Sequence, residues 1–74
     1  METYIDLFLN ADGEKASEIH RRLKVLGLKP AIGEHDFLYD WNKAVSSSEI
    51  IAFADNIQSV LKGTGVIIRF TTIR

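Results

Sequence analysis

Apolar and polar residues alternate at the start of the chain. Between Thr3 and Asn10 every second side chain falls on the same face of an extended backbone, a period that predicts a β-strand. One face carries Ile5, Leu7 and Leu9, and the other carries Tyr4, Asp6 and Phe8. The uniformly apolar face is the one expected to meet the core.

A helical period follows from about Glu14 to Leu26. Its apolar stripe consists of Ala16, Ile19, Leu23 and Leu26. Asn10 or Asp12 is the expected N-terminal cap, because a short side chain with an oxygen acceptor can bond the first free N–H groups of a helix. Gly27 is the expected C-terminal stop.

Two extended segments come next, separated by a turn at Gly33 to His35. Leu28 to Ile32 predicts a short strand at best, and Pro30 places it at a sheet edge because proline has no N–H to donate. Phe37 to Trp41 predicts another strand. Its inward face is expected to carry the aromatic residues Phe37, Tyr39 and Trp41.

The sequence VSSSEI, from Val45 to Ile50, marks the start of a second helix. Ser46 with Glu49 three residues later forms a capping box, and the two apolar ends of the segment form a hydrophobic staple. The helix is predicted to run to about Lys62, where a Gly-Thr-Gly sequence ends it. The segment from Val66 to Ile73 predicts the last strand.

The predicted order is β-α-β-β-α-β, the ferredoxin-like split βαβ arrangement of the α+β class. It has a four-stranded antiparallel sheet with two helices on one face. With 74 residues the chain forms a single domain, 1–74, around one small core. The uncovered face would carry Tyr4, Phe8, Leu38, Ile67 and Arg69. Because an apolar patch on a small domain commonly marks an association surface, these five residues are the predicted dimer interface.

Composition narrows the classes of function. Nine Lys plus Arg against ten Asp plus Glu give a net charge of -1, so no bulk electrostatic attraction to nucleic acid is expected. There is no cysteine, which excludes a disulfide framework and thiolate chemistry and fits a reducing compartment. The N-terminal segment resembles neither a secretory signal nor a membrane span. A cytoplasmic protein without membrane association is the expectation.

Three kinds of chemistry are weighed and not favoured. Glu34, His35 and Asp36 are adjacent, so they could converge on one metal ion only in an unusual loop, and no metal or cofactor is expected. Catalysis by His35 with a serine of the 46–48 run is conceivable, but Ser46 is already accounted for as a cap. Stacking of single-stranded RNA on the open sheet is the structural rival, opposed by the aspartates expected there.

The landmarks together resemble the C-terminal effector domain of the Lrp/AsnC transcription regulators, in a stand-alone form without a helix-turn-helix. Gly33, His35 and Asp36 match that family's Gly-x-[Tyr/His]-Asp turn, and Gly65-Val66 and Thr71 match its second motif. Arg69 stands where the family's first threonine is expected.

The resemblance implies a domain that dimerises through its sheets into an α/β barrel and binds amino acids or similar small effectors between subunits. By motif position, the ligand-contacting candidates are Gly33, His35, Asp36 and Thr71. The sequence thus favours a non-catalytic regulatory, ligand-sensing or oligomerisation module. The alternatives are a single-stranded RNA-binding domain and, third, a small enzyme.

Overall fold

The computed structural model describes residues 1–73 of the chain. It contains four strands and two helices: β1 (Glu2–Phe8), α1 (Ala16–Val25), β2 (Lys29–Pro30), β3 (Phe37–Asp40), α2 (Ser47–Leu61) and β4 (Ile67–Ile73). Neither helix combines the length and the apolar character that a membrane crossing requires.

The strands form one sheet in the order β2-β3-β1-β4, in which every neighbouring pair is antiparallel. Each helix connects two strands that lie on either side of a third, so the predicted split βαβ, ferredoxin-like arrangement is confirmed. The β1–β4 ladder covers all of β1, whereas the β1–β3 ladder stops at the pair Ile5–Phe37. The sheet therefore narrows to two strands beyond Ile5.

The core lies between the sheet and the helices. Its buried apolar side chains are Ile5, Ile19, Leu23, Leu28, Phe37, Ile57 and Leu61. The aromatic face of β3 points inward as expected, since Tyr39 packs against Phe53 of α2 with ring centroids 4.5 Å apart. Trp41 follows the strand and donates from Nε1 to the buried Thr3 hydroxyl at 2.8 Å. The aromatic residues consequently tie α2 to the sheet.

Helix α2 begins where the capping box predicts. The Ser46 Oγ accepts from the Glu49 N–H at 3.2 Å, and the Glu49 carboxylate accepts from the Ser46 N–H at 3.4 Å. Two of the free N–H groups at this end are thereby satisfied.

The start of α1 was predicted wrongly. Lys15 is the N-terminal cap residue and makes no side-chain capping hydrogen bond, while Asn10 accepts from the Asp12 N–H within a preceding turn. Neither Asn10 nor Asp12 reaches the helix because a turn lies between them and it. In this turn the Gly13 N–H bonds the Asn10 carbonyl, and the following Glu14 N–H bonds the Thr64 carbonyl, both at 2.9 Å. The end of α1 agrees with expectation: Gly27 adopts a φ of 94°, and the Leu28 N–H bonds the Leu23 carbonyl at 3.2 Å.

Two strand boundaries also differ from the pattern. Leu9 was expected under the helices but lies beyond β1 and is 55% exposed. The second strand contracts to Lys29–Pro30 at the sheet edge, where Pro30 needs no donor on its outer side. The apolar pattern predicted both strands to be longer than they are. Leu9 in the first segment and Ala31 and Ile32 in the second continue the pattern but lie outside the sheet.

Replacing the capping serine tests the start of α2. We expect Ser46→Ala to lower the free energy of unfolding by about 1 kcal/mol, because the Glu49 N–H loses its acceptor, the Ser46 Oγ. The measurement is urea denaturation followed by circular dichroism. Ser47→Ala, one residue into the same exposed turn, is the matched control and should change stability by less than about 0.5 kcal/mol. Equal losses in the two variants would contradict the capping role.

Candidate functional site

The side of the sheet without helices is called the open face. It carries Glu2, Tyr4, Asp6 and Phe8 of β1, Leu38 and Asp40 of β3, and Ile67, Arg69, Thr71 and Ile73 of β4. The five residues predicted to form a dimer interface, Tyr4, Phe8, Leu38, Ile67 and Arg69, all lie on this face. Their contact with a second subunit stays a prediction.

Asp6 contacts two other ionisable side chains on the open face. Its Oδ1 lies 2.9 Å from Nδ1 of His35, and its Oδ2 lies 3.4 Å from Nε of Arg69. The Asp6 side chain is only 13% exposed, so the carboxylate sits below its two partners. Both oxygens of this partly buried acid are therefore engaged, one by the imidazole of His35 and the other by the guanidinium of Arg69.

Tyr4 links this cluster to the acidic end of the face. Its ring lies 4.7 Å from the imidazole of His35, and its hydroxyl donates to Glu2 Oε1 at 3.1 Å. That hydrogen bond to Glu2, followed by partial burial and the charges of Glu2 and Asp40, raises the pKa of Tyr4 above its ordinary value of 10.0. The phenol is thus held in its neutral, hydrogen-bond-donating form.

The turn before β3 is fastened to β1 by Asp36. Its N–H donates to the Ile5 carbonyl at 3.1 Å, and its Oδ2 accepts from the Leu7 N–H at 2.8 Å. Its own carbonyl accepts from the Ala31 N–H at 2.9 Å. Asp36 therefore joins three segments of backbone, which supports the interpretation of this stretch as a hydrogen-bonded turn.

The four predicted ligand-contacting residues do not share one cleft. His35 and Thr71 both neighbour Tyr4 on the open face, His35 through ring stacking and Thr71 through strand pairing. Gly33 lies in the exposed loop at a φ of 106°, with nothing within 4 Å of the position a Cβ would occupy. Asp36 is held against the end of β1. Effector binding by these residues stays a prediction.

Sequence reasoning missed the pairing of Asp6 with His35. Alternation places Asp6 on the open face, but the two residues are 29 positions apart, and their contact depends on the β1–β3 register. The available signal was the combination of an outward acid at the centre of β1 with an imidazole in the turn that enters β3. Only the register brings them together.

Three charged side chains of α1, Glu18, Arg21 and Arg22, pair with one another along the helix. Glu18 bonds Arg21 at 2.6 Å and Arg22 at 2.8 Å. The hydrogen bonds from Arg21 and then Arg22 lower the pKa of Glu18 to about 2. Arg22 also donates to the Val60 carbonyl at 3.1 Å and so connects the two helices. These contacts are typical of a charged helix face at the protein surface.

The arrangement brings together no serine with His35. Ser46 bonds Glu49 and lies 3.0 Å from the Ser48 hydroxyl, whereas His35 bonds Asp6. Over residues 1–73 no three or more His, Asp or Glu side chains cluster in a way that could hold a metal ion. The open face therefore provides hydrogen-bonding groups and apolar side chains around Asp6, whose carboxylate contacts His35 and Arg69.

Comparison with protein-family models, curated proteins and solved structures finds no match to this chain. The site is therefore interpreted from its own geometry.

Replacing Asp36 tests its role in fastening the turn. We expect Asp36→Ala to lower the free energy of unfolding by about 0.5–1.5 kcal/mol, because the Leu7 N–H exchanges its protein acceptor for water. Asp36→Asn keeps an acceptor oxygen and should lose less. Urea denaturation measures both, with Glu34→Ala in the exposed loop as the control. If the asparagine variant were as unstable as the alanine variant, the hydrogen bond would not be the stabilising contact.

The environment of Tyr4 gives a second test. Removing the charge of its acceptor with Glu2→Gln should lower the pKa of Tyr4 toward 10.0, since a carboxylate acceptor favours the protonated phenol. The ring resonances of Tyr4, followed by NMR from neutral to alkaline pH, report this pKa directly. Asp12→Asn removes an acid from a different loop and should leave the titration unchanged. A Tyr4 pKa that does not move in Glu2→Gln would contradict the assigned cause.

Proposed function

We propose that this chain is a non-catalytic module that self-associates through its open face, forming a dimer as the basis of a regulatory or ligand-sensing assembly. The observation that supports this most is the amount of apolar side chain left uncovered there. Phe8 and Ile67, which pair across the β1–β4 ladder, are 55% and 68% exposed, and Ile73 is 49% exposed. Burial of such a patch is the usual reason for its presence on a small domain.

The pairing of charges on this face favours its burial. Isolated ions resist transfer out of water, but Asp6 already has His35 and Arg69 as partners. Glu2 is engaged by the Tyr4 hydroxyl. A partner covering the face would therefore desolvate groups whose hydrogen bonds are largely made within the chain.

The distribution of charge along the face favours a second copy of the chain as that partner, because the Arg69 side chain is 69% exposed and can contact a carboxylate of the partner as well as Asp6. Glu2 and Asp40 pair at one end of the face, and Arg69 lies toward the other end beside the apolar pair of Phe8 and Ile67. A two-fold axis across the strands would oppose each acidic end to the partner's Arg69. Such an isologous contact is complementary in charge as well as apolar.

The size of the domain supports the same proposal. A chain of 74 residues buries a small core, and within residues 1–73 seven apolar side chains are buried. Covering roughly 500 Å² of apolar surface would contribute on the order of 12 kcal/mol before association entropy is subtracted. Dimerisation would thus bury a second apolar layer on the open face, in addition to the small core on the helix side of the sheet.

The proposed effector role depends on the resemblance to Lrp/AsnC effector domains. Two of its candidate residues, His35 and Thr71, lie on the open face beside Tyr4. A ligand bound by them would consequently lie at the margin of the proposed dimer contact. An amino acid or similar compound there could couple its binding to assembly.

A matched pair of isoleucine substitutions tests self-association. Ile67 on the open face and Ile51 on α2 are similarly exposed, at 68% and 61%. We expect sedimentation equilibrium to give twice the chain mass of 8.3 kDa for the wild-type protein and for Ile51→Glu. Ile67→Glu should sediment as a monomer, because it places an unpaired carboxylate in the contact and opposite the partner's acidic end.

A wild-type protein that stays monomeric at millimolar concentration would refute the proposed dimer. Equal masses for the two glutamate variants would refute the open face as its interface. The RNA-binding alternative is separated by fluorescence anisotropy with a labelled oligouridylate. Salt-sensitive binding that is lost in Tyr4→Ala would favour that alternative over self-association.

A further inference from the structure

A small pocket lies on the helix side of the sheet, away from the open face. Its volume is about 190 Å³, and it is lined by Leu7, Leu9, Ala16, His20, Asp36 and Phe37. These residues come from the end of β1, the first turns of α1 and the start of β3. The pocket is thus formed by segments far apart in the sequence.

The narrowing of the sheet explains why space remains here. Strand β1 continues to Phe8 alongside β4, but β3 begins only at Phe37, opposite Ile5. Leu7 consequently has no β3 neighbour in the ladder, and α1 above it begins with the short side chain of Ala16. No large side chain fills the gap between the helix and the end of the sheet.

Two polar groups border this otherwise apolar space. Nε2 of His20 is buried and has no hydrogen-bond partner, and the imidazole stands edge-on to Phe37 with ring centroids 4.8 Å apart. A desolvated ring nitrogen without a partner is unfavourable and is uncommon in folded proteins. Because Nε2 is closed to a water-sized group, His20 presents its ring to the pocket and offers no hydrogen bond through this nitrogen.

The second polar group is the carboxylate of Asp36. One oxygen accepts from the Leu7 N–H at 2.8 Å, which fixes the orientation of the carboxylate. Within residues 1–73 it forms no ion pair, in contrast to Asp6 on the open face. The pocket lining within this range therefore includes the exposed acidic residue Asp36 and contains no lysine or arginine.

We propose that this pocket binds a small primary ammonium compound with a short hydrocarbon group. The ammonium would bond the Asp36 carboxylate, and the hydrocarbon would lie against Leu7, Leu9 and Phe37. The volume is below the roughly 300–1,000 Å³ of pockets that hold drug-sized ligands, so the ligand has few heavy atoms. The fixed carboxylate disfavours phosphates and carboxylic acids. The site is independent of self-association, because it lies on the other side of the sheet.

Isobutylammonium, isobutanol and isobutyrate are suitable probes, because they share one hydrocarbon group and differ in the polar end. Each is titrated at neutral pH into the full chain while the Leu7 and Ala16 amides and the His20 ring are followed by NMR. We expect saturable shifts with isobutylammonium and roughly tenfold weaker binding of isobutanol, which lacks the charge. Isobutyrate should cause no saturable shift.

Two variants locate the binding. Ala16→Leu fills the pocket from the exposed first turn of α1 and should abolish the shifts, whereas Ser17→Leu, its neighbour outside the pocket lining, should keep them. Asp36→Asn keeps an acceptor for Leu7 and should reduce isobutylammonium to the affinity of isobutanol. Amide spectra confirm that each variant is folded. Absence of saturation with isobutylammonium, unchanged binding in Ala16→Leu, or equal binding of isobutyrate would each overturn the proposal.

Discussion

Two hydrogen bonds between Asp36 and β1 determine where the sheet narrows. The Asp36 N–H bonds the Ile5 carbonyl just before β3 begins, one residue out of the β1–β3 register, and its carboxylate accepts from the Leu7 N–H. A side chain thus serves as the acceptor where the ladder ends. The residues before Asp36, from Ala31 to His35, lie outside the sheet. Their departure affects the structure of both faces of the sheet.

On the open face, the released chain lets His35 lie over β1 instead of pairing in the sheet. There the imidazole bonds Asp6 and stacks on Tyr4, while Arg69 approaches Asp6 from β4. An acid that is 13% exposed needs such partners, because a buried carboxylate without them is strongly unfavourable. On the helix side, the same early end of the ladder leaves Leu7 without a β3 neighbour and produces the pocket beside His20.

Local signals and long-range contacts differ in how well the sequence predicted them. The capping box at Ser46, the glycine stop at Gly27 and the inward aromatic face of β3 depend on a few adjacent residues, and all three are confirmed. The Asp6–His35 contact and the unpaired His20 depend on strand register and on packing between distant segments. Periodicity assigns a residue to a face, but it does not say which residue on the neighbouring strand stands opposite. The absence of a side-chain cap on α1 is also a long-range effect, since the segment that leads into the helix bonds the distant Thr64 carbonyl through the Glu14 N–H.

The two aspartates show how one fold prepares its two surfaces for different ligands. Asp6 has both oxygens engaged by side chains of the same chain, so a partner that covers it gains little from adding charge and most from adding apolar contact. Asp36 has one oxygen fixed by a backbone N–H and no cationic partner within residues 1–73. A ligand at Asp36 gains by supplying the missing positive charge through a charge-assisted hydrogen bond, with apolar side chains of the pocket beside it. The internally neutralised face accordingly suits a second protein surface, and the incompletely neutralised pocket suits a small cation.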